Sequence, residues 1–305
     1  LQAQAHSSVE QVVAMAIGER ACHTTLALLS SDRLTVKLAR RVENDLDQLP
    51  SISNFNESIN HFERLIALDT VIYVRHDGLK AVIDPMHRHG PDPTKYLPVD
   101  CNTALRIVNQ WFDRVVATMH LATGHARKRG FEKVYAELQS DFRRLNQPLE
   151  VIAALLSMNK RSELIGTAVA KLMISDLDAT AFADRVETDL QLTRLAGAIA
   201  VFRAEHRAYP AKLRALVPGV LKKLPVDVYN SKPFVYERTD DGYLLYSMGD
   251  NGMDDGGDNE QFELAAGRSL DELKNLAEEP VLPKIRKGSD DISIRLPRAP
   301  FKLPK

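Results

Sequence analysis

The sequence predicts a mainly α-helical protein, an irregular multi-helix array followed by a small C-terminal α+β module containing a β-hairpin. Three observations predict it. Over about the first 200 residues, apolar side chains recur at the i, i+3, i+4, i+7 spacing of a helix face. Further on, Phe234-Val235-Tyr236-Glu237 and Tyr243-Leu244-Leu245-Tyr246 flank Thr239-Asp240-Asp241-Gly242, and Asp-Gly between two β-rich runs signals a hairpin. A composition of 44% hydrophobic and 27% charged residues is globular, and 305 residues suffice to bury a large core.

The elements follow in order. Val9, Val12, Val13, Ala16 and Ile17 predict the buried face of a first helix. Asp32 stands at an N-cap position for a second, with Leu34, Leu38, Val42 and Leu46 on one stripe, and Pro50 ends it because proline lacks the N–H. A third helix is expected from about Glu57 to Arg75, with Ile59, Phe62, Leu65, Ile66 and Ile72 inward. The prolines between Asp84 and Asp100 forbid a long helix and predict an ordered loop. From Asn102, the residues Leu105, Val108, Trp111, Phe112, Val115 and Met119 form a wide apolar face. Gly130 is expected to separate this region from a shorter helix carrying Phe131, Val134, Leu138 and Phe142.

Pro148 opens a helix whose run Val151-Ile152-Ala153-Ala154-Leu155-Leu156 is apolar nearly all round, which predicts a central position. Asp178 or Thr180 starts the last long helix, with Phe182, Val186, Leu190, Ile199 and Phe202 on one side, and Tyr209-Pro210 stops it. Lys212 to Val217 allows one short helix. Beyond the hairpin, Ser269 and Glu272 at capping-box spacing predict a helix to Leu276. The expected organisation is a helical domain over 1–207, an α+β module over 208–278 and an extended basic arm over 279–305.

Charge and cysteine usage bound the function. Forty basic against 41 acidic residues give no global field for nucleic acid. Cys22 and Cys101 are too few for a disulfide framework or a zinc site of their own; two small buried side chains explain them, and the other reading is a single disulfide joining two helices in an oxidising compartment. No run approaches the roughly 18 apolar residues needed to span a bilayer. The chain opens with Leu1-Gln2-Ala3 and no initiator Met, so an upstream segment, a membrane tether among the options, is expected.

The stretch from Tyr209 to Asp258 resembles the C-terminal part of the major pseudopilins of type II secretion. The resemblance rests on Tyr209-Pro210, Leu224-Pro225-Val226-Asp227, Leu245-Tyr246-Ser247-Met248-Gly249 and the acidic loop that follows. It covers about fifty residues. The hydrophobic assembly helix of the pilins has no counterpart before it, and Asp227-Val228-Tyr229-Asn230 replaces the usual Asp-Pro-Trp-Gly turn. The arrangement with Phe62 to Gly78 also resembles a group of large uncharacterised exported or anchored proteins common in planctomycetes. Together these resemblances imply an extracytoplasmic, membrane-associated protein and a calcium-binding loop.

In that loop Asp250, Asp254, Asp255 and Asp258, with Ser247, supply the oxygen ligands that a hard cation such as calcium requires. A solvated turn whose side chains bond their own backbone is the other reading of the same residues. Elsewhere His87 and His89 with Asp84 have metal-ligand character, and His61, His76, His120 or His125 would have to complete the set. No nucleophile elbow, P-loop or dinucleotide fingerprint is present. The functional expectation is a non-enzymatic extracytoplasmic scaffold or binding protein with a protein partner and no nucleic acid. The alternative is a metal-dependent hydrolase built on the His87/His89 loop.

Overall fold

The structure is a computed structural model that describes residues 7–31, 34–49, 57, 59–78, 93–175, 179–259 and 289–296. Among these the chain is mostly helical, with one small antiparallel sheet in the C-terminal region. It divides into two compact units. One comprises residues 1–14, 53–122 and 126–182, and the other residues 15–52, 123–125 and 183–305.

The helices are α1 (Ser8–Leu29), α2 (Val36–Asp47), α3 (Arg64–Asp77), α4 (Cys101–Met119), α5 (Gly124–Leu145), α6 (Pro148–Leu156), α7 (Met158–Ser175) and α8 (Ala179–His206). Helix α1 buries Gln11, Met15, Cys22, Leu26 and Leu29, one stripe at helical spacing. The expected face lies elsewhere, since Val9, Val13 and Ile17 are all exposed. A helix apolar on several sides does not declare its phase, and here the Met15–Leu29 stripe sets it. The expectation about membrane spans is corrected in the same helix. Val9–Leu29 is long and apolar enough to cross a bilayer by length and composition, because Glu19 and Arg20 break the run without making the span polar.

In the first unit, α4 packs along α7. Gly166 permits it, since a Cβ there would come within 2.8 Å of the Ala104 carbonyl oxygen. Val108, Trp111, Phe112, Val115 and Met119 are buried as expected. Asp100 caps α4 by accepting from Asn102 N at 3.0 Å and from Thr103 Oγ1 at 2.6 Å. A π-helical turn over Ile59–Glu63 precedes α3. That turn inserts one extra residue, and the buried positions become Ile59, Ala67, Val71 and Val74. Phe62, Leu65, Ile66 and Ile72, expected inward, are consequently exposed.

Two further expectations fail in this unit. Gly130 does not end a helix but lies inside α5, where a Cβ would meet Thr118 at 3.0 Å, so it serves close packing against α4. Helix α6 is not central. Only Ala154 on it is buried, while Leu149 and Leu156 are 81% and 84% exposed. The Pro-rich stretch contributes a single 3₁₀ turn, Pro93–Tyr96, and residues 84–92 lie outside the described set.

The second unit is built on α8. Between Leu192 and Val201 it is buried nearly all round, and Leu195, Ala196 and Ile199 share one core with Leu26, Leu29, Leu213, Leu216 and the sheet. Helix α2 is capped by Thr35, whose hydroxyl accepts from Leu38 N at 3.3 Å; the expected cap, Asp32, lies outside the described residues. Arg194 on α8 closes the other end of α2 by donating to the Leu46 and Leu49 carbonyls. After α8, Tyr209 packs edge-on against Tyr243 at 5.3 Å, and the Tyr236 hydroxyl donates to the Pro210 carbonyl at 2.8 Å.

The short helix expected near Lys212 is a 3₁₀ turn, Leu213–Leu216. The hairpin is present, β1 (Val235–Arg238) pairing with β2 (Tyr243–Ser247) across the four residues from Thr239 to Gly242. A third strand, β3 (Ile292–Leu296), comes from the segment expected to be a basic arm. It pairs antiparallel with β2, Ile294 opposite Leu245, and buries Ile292, Ile294 and Leu296. The helix expected from Ser269 to Leu276 lies outside the described residues.

Candidate metal centre

The C-terminal end of β2 runs straight into the acidic loop, and three backbone segments meet there within the second unit. The first is the turn after Leu224-Pro225, where Asp227 is nearly fully buried. Its carboxylate accepts from Tyr229 N at 2.9 Å and from Ser247 Oγ at 2.8 Å. Ser247 Oγ in turn accepts from Gly249 N at 3.1 Å, so this hydroxyl links two turns.

The second segment is the loop itself. Asp254 accepts from the Tyr246 hydroxyl at 2.9 Å and from Gly256 N at 3.0 Å. Asp258 pairs with Arg295 at 3.3 Å. Asp255 receives the Asn251 side-chain amide at 3.0 Å. The third segment enters β3. Asp290 Oδ2 accepts from Asp250 N at 3.1 Å and Asn251 N at 2.9 Å. Asp291 Oδ2 accepts from Asp255 N at 3.0 Å and Gly257 N at 2.8 Å.

Of the expected ligands Ser247, Asp250, Asp254, Asp255 and Asp258, the structure brings Asp255 together with two residues outside the loop. Asp255, Asp290 and Asp291 each offer a carboxylate oxygen, and these lie within 4.8 Å of one another. Among the described residues this is the one group of three or more His, Cys, Asp or Glu side chains able to hold a metal ion. Ser247, Asp254 and Asp258 are engaged by the partners named above, and Asp250 contributes its backbone N–H. The sequence signal for Asp290 and Asp291 is the Asp-Asp step inside Gly-Ser-Asp-Asp-Ile, in an otherwise basic tail.

The local electrostatics are unfavourable as they stand. Asp291 is fully buried, and Oδ1 of both Asp290 and Asp291 is buried without a hydrogen-bond partner. Burial pushes the Asp291 carboxyl up to about 6, the nearby Asp255 charge adds to it, and the N–H groups of Gly257 and Asp255 oppose it. Asp290 is raised for the same leading reason, with the charges of Asp250 and Asp255 contributing. A divalent ion fits this observation, because two orphaned carboxylate oxygens beside a third carboxylate are what a hard cation would satisfy.

The loop backbone is shaped for these contacts. Gly249 has φ +60°, and a Cβ there would fall 2.4 Å from the Asp290 carbonyl oxygen. The other expected metal residues, Asp84, His87 and His89, lie outside the described residues. His76 pairs with its neighbour Asp77, His61 contacts the Glu57 carbonyl, and neither these nor His120 or His125 belongs to the acidic group. Cys22 and Cys101 are both free thiols. Compared with known proteins, the chain matches no family model, no curated protein and no solved structure.

Proposed function

We propose that this protein is a non-enzymatic scaffold or binding protein on the outer side of a membrane, with a C-terminal pseudopilin-type module closed by calcium. The observation that carries the cation reading is the pair Asp290 and Asp291. In each, Oδ2 is held by two backbone N–H groups while Oδ1 is buried without a partner, next to Asp255. Three carboxylates and no imidazole or thiolate favour a hard cation over zinc or copper. Asp255, Asp290 and Asp291 would hold the ion, and its charge would relieve the burial of three acids. A site joining a loop to a distant strand acts on stability, which suits a binding or scaffolding module.

The apolar span Val9–Leu29 supports an association with a membrane, as anchor or export segment. The millimolar calcium outside the cytoplasm suits a site of the affinity usual for extracellular modules, with Kd on the order of 0.1–1 mM. No observation among the described residues favours the hydrolase reading at His87 and His89.

Calorimetric titration and thermal unfolding of the full chain with calcium and with a chelator test the proposal. Saturable heat and a rise in unfolding midpoint with calcium, following ligand linkage, are the expected results. No heat and no shift at millimolar calcium would overturn it.

A further inference from the structure

We propose that His125, on the first turn of α5, is a positioning residue of the acidic centre. The inference rests on the cation reading above. His125 Nε2 lies 3.0 Å from the Gly249 carbonyl oxygen. That carbonyl belongs to the same peptide unit as the Asp250 N–H, which donates to Asp290 Oδ2 at 3.1 Å. A single peptide plane is therefore held from both sides, by imidazole on its oxygen and by carboxylate on its nitrogen.

The constraint matters because Gly249 is a glycine at φ +60°. Without a side chain, the Gly249–Asp250 peptide meets little steric resistance to flipping. A flip would turn a carbonyl oxygen toward Asp290 and remove one of the two N–H groups that fix its Oδ2. Asp290 would then lose the orientation that leaves Oδ1 directed away from its backbone clamp. Donation from Nε2 to the Gly249 oxygen opposes that flip directly.

The imidazole is itself preset. Gly124 N donates to Val228 O at 2.9 Å and His125 N to Tyr229 O at 3.3 Å, so the start of α5 is tied to the Asp227 turn. A Cβ at Gly124 would come within 2.9 Å of Tyr229 Cδ1, and the Tyr229 ring lies 5.7 Å from the imidazole. On the other side, a Cβ at Gly252 would stand 3.0 Å from His125 Cε1. Gly252 thus makes room for the histidine beside the acidic loop, and Gly124 lets Tyr229 close against the start of α5. Residues that support metal ligands in this way tune affinity without touching the ion.

The test is calcium titration of the full-length wild type, His125→Ala and His125→Gln, with a long-range ¹H–¹⁵N spectrum of the wild-type imidazoles. His125→Ala should weaken calcium binding about tenfold or more, the cost usual for losing a supporting partner. Glutamine places an amide N–H near the position of Nε2, and His125→Gln should bring affinity back to within about threefold of wild type. The spectrum should find the His125 proton on Nε2. Unchanged affinity in His125→Ala, or a neutral ring protonated on Nδ1 alone, would overturn the inference and leave the calcium reading standing. A wild type that binds no calcium overturns both.

Discussion

Asp254 and Asp258 lie in the loop that follows β2, whereas Asp290 and Asp291 lie on the approach to β3. In the first pair each carboxylate meets a side-chain donor, the Tyr246 hydroxyl for one and Arg295 for the other. In the second pair each carboxylate meets two backbone N–H groups through one oxygen and has no hydrogen-bond partner through the other. All four acids use one oxygen for these contacts, but only in the strand acids is the other oxygen buried without a hydrogen-bond partner. Abundance of carboxylates is thus a poor guide to where a cation belongs, and the better guide is which oxygens are left over once the fold has used the rest.

The largest way to break the comparison is to remove the strand that brings the second pair in. Ile294 is buried opposite Leu245, and Ile294→Ala should cost about 2–5 kcal/mol in denaturant unfolding. A loss under about 1 kcal/mol would mean that β3 contributes little to the unit. Next in size is Asp291→Asn. Its amide can keep an oxygen on the two N–H groups and turn its own N–H₂ toward the neighbouring carboxylates. The midpoint without calcium should rise, by about 1–3 kcal/mol of stability, while the calcium-linked rise disappears. A lower calcium-free midpoint would contradict the orphaned-oxygen account.

A half-buried acid elsewhere sharpens the contrast. Asp189 on α8 is pushed up from 3.8 to about 7, chiefly by burial, with Arg185 opposing the shift. The fold favours the neutral form, so this group's favourable contribution is present at low pH. It is lost as pH rises from about 4 to about 7, the window between the unfolded and folded values. The stability of Asp189→Asn relative to wild type should increase across that window and level off above it, as read by urea unfolding at fixed ionic strength. Two smaller effects complete the series. Asp254→Asn keeps an acceptor for Tyr246 and should cost about 0.5–1.5 kcal/mol. Asp258→Asn removes an exposed ion pair with Arg295 and should change stability by about 0.5 kcal/mol or less.

What was legible in the sequence follows the range of the interactions. The face of α4, the hairpin with its Asp-Gly turn and the end of α8 before Tyr209-Pro210 depend on neighbours a few residues apart, and periodicity or turn chemistry reports those. The phases of α1 and α3 did not emerge. Their buried stripes use Met15, Ala67 and Val71, and in α3 a π turn shifts the register by one residue without an apolar signature. Helix α6 was misjudged because composition says how apolar a helix is, not how many neighbours surround it.

The acidic loop was legible as a cluster of oxygen donors. Asp290 and Asp291 were not, since more than thirty residues separate them from Asp255 and only the β2–β3 register brings them back. His125 is named from the sequence only among the histidines that would have to complete a metal set, yet its contact is with a carbonyl oxygen 124 positions away. No local pattern encodes such a meeting.

The bridge between Asn259 and Asp290 has a practical consequence. The Asn259 side chain also donates to the Asp291 carbonyl at 2.9 Å, so the chain departs and returns at adjacent, stitched positions. The stitch acts as a clasp, fixing the end of the acidic loop to the approach to β3.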